Sequence, residues 1–147
     1  YRGPLVISVE IESKLPRLDR MTFSSPLNRV SRELELSIKQ NFASGGRPST
    51  WAPKKRGGPS HLYKTGRLFS SIRHSKTDSV ARAGIPVEGM PPYARIHQFG
   101  FEGFMSNGRY MVMPRRQYIL FQVQDIQNIK KILLGHITHF FNTGATE

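Results

Sequence analysis

Five histidines are the first side chains to test for chemistry, because imidazole titrates nearest to neutral pH. His136 and His139 stand three residues apart, a spacing that puts both on one side of a helix. A structural zinc takes four N, S or O ligands. The chain has no cysteine and that turn has no acid, so the remaining ligands would have to come from elsewhere. The pair reads instead as flanking an apolar stripe or lying near a helix C-terminus, where a cation is favoured. His61 and His74 lie among cations, which makes them poor general bases without a carboxylate partner. The acids are scattered at Glu10, Glu12, Asp19, Glu33, Glu35, Asp78, Glu88, Glu102, Asp125 and Glu147, and no ordered nucleophile, base and orienter emerges. A nuclease with His, Asn and acids clustered around a metal is therefore not indicated. Neither G-x-x-x-x-G-K-[ST] nor G-x-G-x-x-G occurs. The chain reads as non-enzymatic, with no catalytic residue, no metal and no cofactor.

Charge carries the stronger signal. Lys and Arg number 22 against 10 Asp and Glu, a net +12, which favours nucleic acid, an acidic protein surface or anionic lipid as a partner. From Arg47 to Lys76 there are eight basic residues and no acid. Gly45, Gly46, Pro48, Pro53, Gly57, Gly58 and Pro59 fall in or beside this stretch and predict a long loop over about 45–64. Arg47, Lys54, Lys55, Arg56, Lys64 and Arg67 are the candidate contacts to phosphate or to an acidic neighbour. Trp51, His61 and Tyr63 interleave with them and could stack on bases, although a lone Trp51 among polar residues also suits a plug that seats the loop on the core.

The elements that must position these residues follow from periodicity. With 147 residues, the length prior is one domain, 1–147. Absent cysteine excludes a disulfide framework, and no run of 18 apolar residues exists to span a membrane. The first residues lack the basic-then-apolar order of a signal peptide, and the start at Tyr1 leaves room for residues upstream. Leu5–Ile11 is β-branched and predicts a strand, which Pro16 interrupts. Ser25-Pro26 predicts a helix start, with Ser25 as N-cap and Pro26 at the first helical position. Leu27, Val30, Leu34, Ile38 and Phe42 then mark one apolar face, and Gly45-Gly46 the stop.

After the basic loop, Thr65 is placed to cap a short helical turn running to Ile72. Ile72 onward and Ser79–Ile85 predict a hairpin turning near Asp78. Pro91-Pro92 forces a bend, Phe99–Gly108 reads as a loop, and Tyr110–Pro114 as a short strand. The last helix carries Ile126, Ile129, Leu133, Ile137, Phe140 and Phe141, with Asp125 opposing its N-terminal dipole and Gly144 ending it. The sum is α+β: a short, mainly antiparallel sheet, two amphipathic helices and a long basic Gly/Pro-rich loop.

One segment is more specific. Tyr93, Ile96 and Phe99 recur every three residues, which makes a helical turn facing the core, with His97 beside it and Gly100 giving a left-handed exit. The segment Tyr93-Ala94-Arg95-Ile96-His97-Gln98-Phe99-Gly100 resembles the Tyr-Ala-x-x-His-x-Phe-Gly signature of the phage virion morphogenesis family, the tail completion proteins of Mu-like phages. Leu62 to Ile72 is similar to that family's Leu-x-x-Thr-Gly-x-Leu-x-x-Ser-Ile element, and Phe42 to Trp51 to its aromatic, glycine turn and tryptophan. Met113 to Leu120, followed by Asp125-Ile126, looks like its Pro-x-Arg-x-Phe-Leu element. Gln117-Tyr118 stands where Pro-Phe is usual, and Gln-rich rather than acidic residues open the last helix. The resemblance runs from Leu27 to Phe140.

The resemblance implies a structural protein of the virion, at the neck or tail end, made in the host bacterial cytoplasm. Its partners would be copies of itself in a closed ring of probable sixfold symmetry, other neck, connector and tail-tube proteins, and viral duplex DNA passing through without sequence readout. On that view Tyr93, Ile96, His97, Phe99, Gly100 and Pro114 belong to the family-motif core, while Trp51, Phe101, Phe104 and Met105 make contacts between subunits. A small basic nucleic-acid-binding protein is the alternative. It would use Gln122, Gln124, Gln127, Asn128, Lys130 and Lys131 of the last helix, since the first helix mixes Arg29, Arg32, Lys39 and Gln40 with Glu33 and Glu35.

Overall fold

Among the described residues of the computed structural model nine elements succeed one another: β1 (Leu5–Glu10), α1 (Ser24–Ser44), α2 (Arg67–Ser70), β2 (Arg73–Lys76), β3 (Val80–Ile85), α3 (Ala94–Phe99), β4 (Phe101–Phe104), β5 (Tyr110–Met113) and α4 (Val123–Thr143). Residues 2–12, 22–58, 60–62 and 64–143 are described. The expectations for Pro16, Pro59, Tyr63 and Gly144 lie outside the described residues. The class is α+β, with antiparallel pairing throughout the described strands.

The main sheet has the order β1-β3-β2. Alternation on β3 sends Ala81, Ala83 and Ile85 into the core and Arg82 outward. Helix α1 lies across β3 and β2, and its Leu27, Val30, Leu34 and Ile38 are fully buried. The three- and four-residue spacing of those side chains makes the stripe that the sheet covers. At its end Gly45 adopts φ 68°, and the N–H groups of Gly45 and Gly46 close on the carbonyls of Phe42 and Asn41.

The start of α1 departs from the expected cap. The helix opens at Ser24 behind Phe23, without a side-chain cap. Phe23 is buried and packs its ring on His136 of α4, so apolar anchoring sets the entry rather than a serine hydroxyl. Ser24 Oγ instead accepts a bond from Lys76 Nζ of β2, at 2.7 Å. Thr65 is not at the N-cap position of α2, which is Gly66 at φ 74°, but its Oγ1 accepts the N–H of Arg67, the first residue of that helix, at 3.4 Å. The β2–β3 hairpin turns at 77–79, where the Thr77 N–H donates to Val80 O.

The expected loop over Phe99–Gly108 contains a strand. Phe101–Phe104 pairs with Tyr110–Met113 to form a second, two-stranded sheet, separate from the first. Gly103 breaks the apolar alternation that would otherwise have marked it.

Between β5 and α4 the chain crosses the molecule as a strap, residues 114–122, with neither helix nor strand. Where it is buried, at Arg116, Tyr118, Ile119 and Gln122, its backbone groups have no ladder. Side chains supply the partners. The Gln98 amide donates to Ile119 O at 2.8 Å and accepts the N–H groups of Tyr118 and Ile119 at 3.1 and 3.0 Å. Asn41 Nδ2 donates to Tyr118 O at 2.7 Å, and Trp51 Nε1 to Gln117 O at 3.1 Å. The Tyr118 hydroxyl, pushed up in pKa by burial, donates to Ala94 O at 2.9 Å.

At the start of α4, Asp125 Oδ2 accepts the Gln122 N–H at 2.8 Å, half of a capping box. The same oxygen accepts from Ser37 Oγ of α1 at 2.7 Å. An Asn41→Ala substitution removes one amide that serves both Tyr118 and Arg47 inside the core. Chemical denaturation is expected to show a loss of about 2–3 kcal/mol. A loss below about 0.5 kcal/mol would mean that the strap is not held this way.

Candidate functional site

The basic segment, α2, α3 and the inner face of the β4–β5 hairpin enclose a cavity of about 950 Å³. Lys54, Lys55, Lys64, His61, His97 and Arg116 bring nitrogen to its lining, and Leu62, Leu68, Tyr93, Met111, Met113 and Pro114 bring apolar surface. Among the described lining residues none is acidic.

The candidate contact residues divide. Lys54, Lys55, Arg56, Lys64 and Arg67 are exposed. Arg47 turns inward: its Nε donates to Asn41 Oδ1 at 2.8 Å, and its Nη2 to Ser37 O and Ser37 Oγ at 2.7 and 2.9 Å. The carbonyls near the end of α1 and the Ser37–Asp125 pair make a negative pole that attracts this cation. Arg47 therefore locks the loop to the core, and its carbonyl accepts Gln122 Nε2 of the strap. Trp51 is also internal, 9% exposed and edge-on to Phe42 with ring centres 5.9 Å apart, so its plug role is the one realised here. His61 Nδ1 meets Phe42 O at 2.9 Å.

The motif residues lie together around α3. Tyr93 and Ile96 are half-buried, but Phe99, expected on the same core face, is 55% exposed. The helix ends there, and the chain turns away into β4. Gly100 takes φ 77°, and a Cβ there would stand 3.1 Å from Arg115 N and 3.2 Å from Met113 O, so this exit admits only glycine. The His97 ring lies edge-on to Tyr93, with centres 5.9 Å apart. The buried Nδ1 of that ring has no hydrogen-bond partner. Burial, with Arg116 nearby, holds the imidazole below its ordinary 6.5.

Arg116 carries weight that its sequence position does not announce. It is 5% exposed, with Nε on Ala52 O and Nη2 on Pro53 O, both at 2.9 Å. Only its place as the arginine of the Pro-x-Arg element, Pro114-Arg115-Arg116, hints at it.

Beyond the cavity, Phe104 is 76% exposed and stacks edge-on to Tyr110 at 5.1 Å. Met105 is exposed with them, as is Val112, which also lines the rim of the cavity, while Phe101 is half-buried on the other face. The Tyr110 hydroxyl donates to Glu102 Oε1 at 2.6 Å, which raises its pKa. On α4, Ile129 is buried and Leu133, Ile137 and Phe140 pack on the core. Ile126 and Phe141 of the expected stripe are exposed instead, as are Val123 and Leu134. His136 Nε2 meets Thr22 O at 2.7 Å. Burial alone would raise Glu35, but Lys39 and His74, both bonded to it, hold it below its ordinary value. Among the described residues no three His, Asp or Glu gather as a metal set, and no helix is long and apolar enough to cross a membrane.

Residues 10–138 match the phage virion morphogenesis family. The Mu-like prophage FluMu G protein 2 of Haemophilus influenzae is 35% identical over 122 residues, which cover 82% of this chain and 83% of that protein. No solved structure matches the chain.

The lowered His97 predicts an acid-side effect. The unfolded chain binds a proton below 6.5 that the folded chain refuses, so stability falls as pH drops through that region. In His97→Gln the slope between pH 7 and 5 should be shallower, by at most about 1.4 kcal/mol per pH unit. Urea unfolding across that range measures it, and parallel profiles for the two proteins would contradict it.

Proposed function

The chain belongs to the phage virion morphogenesis family, and from that premise we propose that it is a ring-forming subunit, acting as one unit, that finishes the tail or joins it to the head connector. A virion assembly role follows from the family, and that role favours a structural over a catalytic part. The ring, its sixfold symmetry and the passage of DNA through it are the further reading.

The observation that carries this reading is that one chain presents two apolar surfaces on different elements. The hairpin offers Phe104, Tyr110 and Val112, and the outer side of α4 offers Val123, Ile126, Leu134 and Phe141. A heterologous contact pairs two unlike patches of the same chain, and where its rotation closes such contacts form a ring. Large apolar side chains left exposed in this number, paired on the hairpin as Phe104 and Tyr110 are, suit a partner site. The exposed Lys54, Lys55, Arg56, Lys64 and Arg67 supply a sequence-independent face for duplex DNA in the lumen or for acidic neighbouring proteins of the neck and tail tube. A virion location fits, with assembly in the host cytoplasm.

The nucleic-acid-binding alternative is less well supported. Gln122 is buried as the partner of Asp125 and Arg47 and so leaves the outer face of α4. Apolar residues share that face with Gln124, Gln127, Lys130 and Lys131.

Silencing the gene during infection should yield DNA-filled heads beside detached or overlong tails in electron micrographs. Complete, normally joined virions would overturn the reading. A Lys54→Glu/Lys55→Glu/Arg56→Glu chain should keep its thermal midpoint, since all three residues are exposed. Complementation with it should lower phage titre by at least about tenfold through loss of the cationic face. An undiminished titre would remove that face from the account.

A further inference from the structure

We propose that the cavity beside Arg116 receives an acidic, apolar-flanked peptide segment of another protein, its carboxylate set against Arg116 and His97. The proposal rests on the assembly reading only for which protein supplies the segment.

Arg116 is buried, yet its bonds go to the carbonyls of Ala52 and Pro53 and, at 3.6 Å, to the Met113 sulfur. No carboxylate among the described residues pairs with it. A buried charge ordinarily has a counter-charge, because carbonyl dipoles alone do not replace its hydration. Against the same wall His97 offers a buried Nδ1 without a partner, and its own carbonyl accepts the Arg116 N–H at 2.8 Å. One carboxylate would meet both residues from the cavity they line: one oxygen on the guanidinium Nη1, the other accepting the imidazole N–H on the ring edge that faces the space. Lys54, Lys55 and Lys64 at the lining add attraction for an anion, and no described lining residue is acidic.

Apolar walls choose among anions. Leu62, Tyr93, Met111 and Pro114 line the same space of about 950 Å³, enough for several side chains. Duplex DNA carries its phosphates on the outside of a stiff rod, which suits exposed lysines and not a buried guanidinium between apolar walls. A second copy of this chain is a poor source, since at net +12 it would bring repulsion with its few acids. A different, acidic polypeptide fits best.

The test uses the full chain in solution and the probe N-acetyl-Leu-Glu-Leu-amide, followed by ¹⁵N NMR of the His97 imidazole and the Arg116 guanidinium. Saturable shifts at both groups are expected, and the Gln counterpart of the probe should bind at least about tenfold more weakly. Val112→Glu, placed on an exposed lining residue, should weaken the probe by putting a carboxylate of the chain's own at the mouth. This variant keeps the proposal testable if Arg116→Leu fails to fold.

No shift at His97, or equal binding of the Gln probe, would overturn the proposal. So would inorganic phosphate matching the peptide's affinity, or a duplex oligonucleotide displacing it. Probe binding combined with normally joined virions after silencing would overturn the assembly reading and leave the cavity assignment standing.

Discussion

A strap with no strand beside it governs this structure. Within residues 114–122, Arg116, Tyr118, Ile119 and Gln122 are buried while Arg115 and Phe121 are exposed, and the buried peptide groups must find partners or cost several kcal/mol in lost hydrogen bonds. Two buried amides, Asn41 on α1 and Gln98 on α3, provide four of them, and each is bonded more than once. Because each amide sits on a different helix, the strap fixes α1, α3 and the root of α4 to one another. The Ser37–Asp125 contact and Arg47 extend the same network to the basic segment.

This polar network explains how the exposed features are presented. A two-stranded hairpin is marginal on its own. Here β4 leaves α3 through the Gly100 exit and β5 runs directly into the strap, so both roots are held. Its outer face can then carry Phe104 and Tyr110 without a covering layer. The basic loop is treated likewise. Arg47 and Trp51 tie its beginning to the core, Arg116 grips Ala52 and Pro53, and Lys54 to Arg56 project beyond those anchors. Cations of the same stretch thus do opposite work, some closing the core and others facing solvent.

How much of this the sequence discloses depends on whether a residue's role is local. The apolar spacing of Leu27 to Phe42, the β2–β3 hairpin and the α3 turn are local patterns and were legible, as was Asp125 at the start of α4. The α+β class followed from them, and four short motifs in order pointed to the family. What was hidden is nonlocal. Arg47 looks like every other cation of its stretch until α1 places Ser37 and Asn41 beside it. Phe99 fits a three-residue period that ends with its own helix, so it escapes the core. β4 was masked by Gly103, and the separation into two sheets has no local sign. Arg116 and His97 become a candidate site only when the cavity between distant segments is seen.

The central claim is that the hairpin and the outer stripe of α4 are contact surfaces between proteins of the virion. Hydroxyl-radical footprinting of Phe104, Tyr110 and Leu134, in the isolated chain and in purified virions, tests it most directly. All three are exposed in the isolated chain, so they should be oxidised there and protected in the particle. Equal reactivity in both states, with the virion-bound protein verified as present, would contradict the account.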